Sequence, residues 1–414
     1  MGAAIDRRSL ATALLCVLPL LVLVVPQGTI QRTLVPELLF VAALLLTVVT
    51  SLAQASWLQP PLALRRDQFQ PMLLLALVYF LLLNPLWSLH QGNEPARVAM
   101  TALPFVMLGL YYPITLQRQN AGLAGRLVLM LAVSGVILAA VVVGNYFLGD
   151  QASTAGRSTG IEGDRTLTLP LLPMAGVLST AWALAAPKGL ASRSWSVAAL
   201  LIAIAIIMTV TRAMLAAYLI GTAVAAGSLL WHGDSATRRR TGRRLLAGLF
   251  AVMALGAPLM AQWLDRLDPD SQGDVGTILG RLDEYTAFLD AFIASPLLGK
   301  GMGYLATYPS DFDWTLRDTG ITVCHSHLFF FAGTTGVVGM VLYYGLLATG
   351  LWRLAAKARA VRTDPLRLGA VVGMTGAMVA GVLFTLTSTT FTALSYNLFL
   401  AVFLFCASID WRRE

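Results

Sequence analysis

Twelve apolar stretches, each 16 to 26 residues long and most without an internal charge, run the length of this 414-residue chain. With soft boundaries they cover 9–26, 34–54, 71–89, 98–115, 127–148, 166–186, 194–210, 213–231, 245–263, 326–351, 368–388 and 394–409. A helix needs about 20 mostly apolar residues to cross a bilayer, and a backbone in lipid must satisfy its polar groups within the segment. Only 12% of the residues are charged, against about 25% in soluble domains, too few to coat the two or three soluble domains a chain of this length would make. Alternating strand patterns are absent, which excludes an outer-membrane barrel. The expected fold is an all-α polytopic membrane protein with about 12 transmembrane helices.

The charges then report orientation. With the N-terminus inside, 20 of the 29 Lys and Arg fall in inner segments and 9 in outer ones. That asymmetry predicts both termini in the cytoplasm. It also accounts for the net charge of +8 and the Arg238–Arg244 cluster, so no nucleic-acid partner is expected. The run 9–26 follows Arg7 and Arg8 but lacks a small-x-small cleavage site, and is read as an uncleaved first span. Between 194 and 231 only Thr211-Arg212 interrupts the apolar pattern. One helix over that stretch would be about 57 Å long, roughly twice the hydrocarbon core, so the chain must turn near Arg212.

One outer loop is large. Residues 264–324 hold 10 of the 21 acidic residues, and a loop this long is usually functional or carries its own structure. Ile278, Leu282, Tyr285, Leu289, Phe292 and Ile293 recur at helical spacing, and Pro296 and Gly299 end the pattern. The expected organisation is spans 1–9 over 1–263, a partly helical periplasmic loop over 264–324, and spans 10–12 over 325–414. A second, polar outer loop, 149–165, carries Arg157 and Arg165.

The candidate chemistry lies on this outer side. At 100° per residue, Arg281 falls within about 40° of Tyr285, Phe288 and Phe292, inside the apolar stripe of the loop helix. It is either a snorkelling residue or a guanidinium aimed at a buried anion such as phosphate. Arg212, in its turn at the outer face, carries the same two readings. Together the two arginines could bracket a pyrophosphate. Two of the chain's four histidines stand in Cys324-His325-Ser326-His327, where the loop meets the tenth span. A neutral His is a suitable proton acceptor near pH 7. The pair diverges by 200° on a helix, so no metal set is expected. Asp283 or Glu284 could assist. Gly299-Lys300-Gly301-Met302-Gly303 lacks the following Ser/Thr and preceding strand of a P-loop, and its glycines are expected to supply left-handed turns. Gly336 and Gly339 are expected to let helices approach closely.

The pattern resembles the bacterial O-antigen ligases, part of a superfamily that includes O-antigen polymerases and protein O-oligosaccharyltransferases. The resemblance covers the topology of the whole chain. Its motifs lie between about 212 and 340: Arg281 followed by Ser295-Pro296-Leu297-Leu298-Gly299-Lys300-Gly301, and His325-Ser326 followed after nine residues by Gly336-Val337-Val338-Gly339. Ser326 stands where many relatives have Asn. The resemblance implies inverting transfer of a finished O-antigen polysaccharide from undecaprenyl pyrophosphate to lipid A–core oligosaccharide. The reaction would lie at the periplasmic face of a Gram-negative inner membrane, without metal or ATP. It implies His325 as the catalytic residue and Arg212 and Arg281 as the pyrophosphate ligands; His327, Arg157, Arg165 and Lys300 are further candidates for supporting residues. The alternatives are a polymerase or a protein O-oligosaccharyltransferase. A polyprenyl-linked glycan transporter is disfavoured, because internal repeats and broken midplane helices are not visible.

Overall fold

The computed structural model describes residues 13, 15–18, 20, 69–116, 121–148, 171–209, 211–256, 272–307, 321, 324–388 and 394–412. The runs 9–26 and 34–54, but for a few residues of the first, and the loop residues Arg157 and Arg165 lie outside them. Among the described residues the regular structure is helical, with one isolated bridge between Ala306 and Ile321.

In chain order the helices are α1 (Phe69–Val78), α2 (Asn84–His90), α3 (Pro95–Ala102), α4 (Tyr111–Leu116), α5 (Ala121–Leu148), α6 (Leu171–Ala185), α7 (Leu190–Met208), α8 (Arg212–His232), α9 (Ser235–Gly256), α10 (Gln272–Ala294), α11 (His327–Ala358), α12 (Pro365–Thr385) and α13 (Leu394–Ser408). Among the described residues, six helical stretches are long and apolar enough to cross a membrane: 71–90, 122–145, 190–208, 212–232, 327–361 and 365–385. The protein is an all-α membrane protein. The expected turn at Thr211-Arg212 is present, between the end of α7 at Met208 and the start of α8 at Arg212.

Three apolar runs are less regular than their sequence suggests. Pro85 cannot donate a backbone N–H, and just ahead of it the helix widens into a π turn, Tyr79–Leu83, between α1 and α2. The run 98–115 is not one straight helix: Pro104 and Pro113 each remove a donor, and a 3-10 segment, Leu103–Leu110, joins α3 to α4. The third is the tenth run. Gly336 has φ 60° and ψ −165°, so α11 is two helices meeting at a break. Gly336 thus interrupts the helix rather than only easing a close approach.

Small residues draw the bundle together. An added Cβ on Gly221 of α8 would come within 2.6 Å of the Gly376 carbonyl oxygen in α12 and 2.8 Å of Ala380. One on Gly376 would meet Ala225 at 3.0 Å. Numbers rise in opposite directions along these two helices, so Arg212 stands at the Thr385 end of α12. The backbone of Thr385 also lies beside His327 at the start of α11. Arg212 and the His325 segment therefore share one end of the bundle.

The opposite end is basic. Asp234 caps α9 through the Thr237 N–H at 2.7 Å, so the Arg238–Arg244 cluster is helical. Arg244 donates to the carbonyls of Ala183 and Ala186 at the C-terminus of α6, and Lys357 to those of Ala407 and Ile409 at the C-terminus of α13. Helix C-termini leave carbonyls without partners, and cations satisfy them while opposing the helix dipole.

Candidate active site

The site is built where α10 runs alongside the first half of α11. Tyr285 stacks on Phe329 with ring centroids 4.7 Å apart and planes at 9°. Phe288, fully buried, packs against Gly333, where an added Cβ would come within 2.7 Å of the Phe288 carbonyl oxygen. These contacts hold the two helices parallel and fix their register within a turn. They bring Glu284 to the residue just ahead of α11's N-cap: Glu284 Oε2 and Oε1 lie 2.8 and 3.0 Å from His325 Nδ1, and Oε2 accepts the His325 backbone N–H at 3.2 Å. The Glu284 side chain is 7% exposed and that of His325 40%. The carboxylate is interior, and the imidazole reaches from it toward the open side.

Arg281 sits one turn before Glu284, half-buried beside Tyr285. Among the described residues no hydrogen bond or ion pair engages its guanidinium, and Glu284, one turn on, is committed to His325. Tyr285 keeps its proton: burial foremost, and then Cys324, raise its pKa, while Arg281 lowers it. Cys324 is fully buried, and burial pushes its thiol up to about 12.

Below the dyad the chain is clamped. After α10 ends, Pro296–Gly301 enters the break at Gly336. Val337 N–H donates to the Pro296 carbonyl and Val338 N–H to that of Leu297, while Lys300 and Gly301 N–H donate to Gly333 and Thr334 at 2.8 and 2.9 Å. Thus the carbonyls and N–H groups that an unbroken helix would pair internally are paired with the loop. Gly299, Gly301 and Gly303 adopt φ of 68°, 89° and 80°, the left-handed turns that the sequence predicts. Asn84 holds the loop from the other side: its Nδ2 donates to the Thr334 and Leu298 carbonyls and its Oδ1 accepts the Met302 N–H. Trp87 donates to the Gly299 carbonyl at 2.9 Å, Asn93 to that of Lys300 at 2.8 Å, and Tyr79 to that of Thr335 at 2.6 Å.

The residues expected to act together are placed as follows. His325 is held by Glu284, which lies one turn after Arg281 on α10. Arg212, exposed, is the first residue of α8 at the same end of the bundle. Lys300 is half-buried, with its backbone tied into the clamp. His327 is fully buried, its ring centroid 5.4 Å from that of Tyr344 and 6.2 Å from that of Tyr343, so it belongs to the interior rather than to the open side that His325 faces. Sequence reasoning missed the clamp residues Asn84, Trp87 and Asn93. The signal available was Asn84-Pro85, a polar residue and a helix breaker within an otherwise apolar run. Among the described residues no three His, Cys, Asp or Glu converge as a metal set.

Residues 197–344 match the family described as O-antigen ligase. The chain carries an O-antigen ligase family domain. The domain runs from within α7 to just past the Gly336 break, and so contains Arg212, Arg281, Glu284, Lys300 and His325. The match supports a function within the group of ligases, polymerases and oligosaccharyltransferases, and the members of the matched family are membrane glycosyltransferase-like enzymes. No curated protein matches the chain.

Proposed function

We propose that this O-antigen ligase domain transfers O-antigen polysaccharide from undecaprenyl pyrophosphate to a hydroxyl of lipid A–core, by inversion, at the periplasmic face of the inner membrane. The observation that carries the reading is a partly exposed imidazole held by Glu284, with a half-buried guanidinium, without a partner among the described residues, one helical turn before that carboxylate, inside a domain of this family. In the reaction the acceptor hydroxyl oxygen bonds to the anomeric carbon of the donor. The bond from that carbon to the pyrophosphate oxygen breaks, and the leaving undecaprenyl pyrophosphate takes the electron pair. The acceptor proton passes to His325. Arg281 and Arg212, both at the site end of the bundle, neutralise the charge that develops on the leaving group; positioned cations act most strongly on such charge in a dry site. Both substrates are lipids and reach the site laterally from the bilayer. The arginines serve in place of a divalent ion.

The test is transfer by purified protein with defined donor and acceptor lipids. His325→Ala should lower the rate by about 10²–10⁴-fold, the range of general-base catalysis, while donor binding is retained. Arg281→Lys should recover little, since a point charge lacks the bidentate fork. Transfer should continue in excess EDTA. Near wild-type transfer by His325→Ala would refute the base, and activity that vanished with EDTA and returned with Mg²⁺ would refute the arginine-only site. Elongation of lipid-linked polymer without use of lipid A–core would point to a polymerase.

A further inference from the structure

The contacts of Glu284 distinguish the two nitrogens of His325. An ionised carboxylate only accepts hydrogen bonds, and both Glu284 oxygens lie within 3.0 Å of Nδ1. The ring hydrogen is therefore on Nδ1, and the lone pair that can take a proton is on Nε2. Glu284 is 5% exposed and also accepts the backbone N–H of the same residue, so one buried group fixes both the main chain and the ring of His325. The parallel packing of α10 on α11, through Tyr285–Phe329 and Phe288–Gly333, sets the position of that group before any substrate arrives. Free imidazole carries its hydrogen on either nitrogen, so an untethered His325 would spend much of its time with Nε2 already protonated.

We propose that Glu284 is a positioning residue. It holds His325 as the Nδ1–H tautomer, keeps Nε2 toward the acceptor hydroxyl, and balances the imidazolium that forms when Nε2 takes the acceptor proton. The proton stays on the imidazolium until solvent removes it; the carboxylate does not take it. The proposal rests on reading His325 as the base.

The tautomer can be observed without activity. The chain has four histidines, so ¹⁵N-histidine spectra of the purified protein in detergent can be assigned for His325 by its loss in His325→Gln. At a pH where the ring is neutral, His325 should show a protonated Nδ1 and a bare Nε2. A bare Nδ1 in the wild-type protein overturns the proposal outright and needs no variant. Glu284→Gln keeps the length and one acceptor oxygen but not the charge. It should shift the His325 signals toward the other tautomer and lower kcat by about 100-fold or more, with the donor KM little changed. Glu284→Asp, which keeps the charge on a shorter arm, should recover part of kcat. A Glu284→Gln protein with unchanged tautomer that lost activity through KM would show a mere tie between helices, and one with unchanged tautomer and kcat would show no role. If instead His325→Ala remained active while the tautomer held, the base reading would fail and the Glu284 contact would stand.

Discussion

Arg281 and Glu284 are one turn apart on the same helix, a spacing at which opposite charges usually pair. Here the carboxylate is spent on a histidine 41 residues later, and among the described residues the guanidinium is not paired with it. Arg281 could be singled out in the sequence because it interrupts an apolar stripe, and His325 because of its spacing to the glycines. The sequence offers Glu284 only as one of two carboxylates that could assist, and its pairing with His325 is not legible there, since no local pattern says which side chain will meet which across a 41-residue separation. Cys324 shows how fully the neighbourhood differs from one residue to the next. It adjoins His325 in the chain but is buried, with its thiol pushed up to about 12, above its ordinary value of 9.0. The thiolate is the species that alkylates. A raised folded pKa favours folding below the ordinary value and loses that advantage as pH climbs toward 12, so at pH 8 the thiol is neutral and sheltered. With Cys16 and Cys406 replaced by Ser, the folded protein should resist maleimide at pH 8 and react on denaturation. Rapid labelling of the folded protein would show that Cys324 is open to the site.

At the scale of elements, the telling feature is the break at Gly336 and the loop that fills it. An added Cβ there would come within 2.4 Å of the Leu297 backbone, and one on Gly299 within 2.3 Å of Thr334. Both positions have positive φ, which alone costs a non-glycine residue about 1–2 kcal/mol. Gly336→Ala and Gly299→Ala should each lower Tm by several degrees and reduce transfer, as read by thermal unfolding in detergent. Gly144→Ala, where a methyl would meet nothing within 4 Å, should leave both unchanged. Equal effects at all three would mean the clamp contributes nothing particular. The glycines of 299–303 announced turns in the sequence. The break did not, because 326–351 is continuously apolar and without proline; the helix opens there because another segment supplies its missing partners. The same holds for the π turn ahead of Pro85, where a proline marks a disturbance but not its form.

For the whole molecule, the apolar runs sufficed to read an all-helical membrane protein. Tilts, breaks and helix neighbours were not legible, since lipid-facing and bundle-facing leucines look alike in sequence. Among the described residues, the basic clusters of α9 and of the α11–α12 connection sit at the end away from His325. That arrangement predicts a labelling pattern. A membrane-impermeant maleimide applied to spheroplasts should modify Thr286→Cys, an exposed position beside the dyad, and should reach Ser235→Cys, also exposed, only after permeabilisation. The reverse pattern would turn the protein over. The clamp also has a consequence in time. Trp87 waits 212 residues for the Gly299 carbonyl, and Asn84 waits 250 for that of Thr334. At a synthesis rate of about 5–20 residues per second, the ribosome needs roughly 10–50 s to make the missing partners. For that interval the second half of the α1–α2 helix sits at the membrane with its amide and indole donors unmet by the groups they will finally hold, and the site is completed only when the segment around Gly336 has been made.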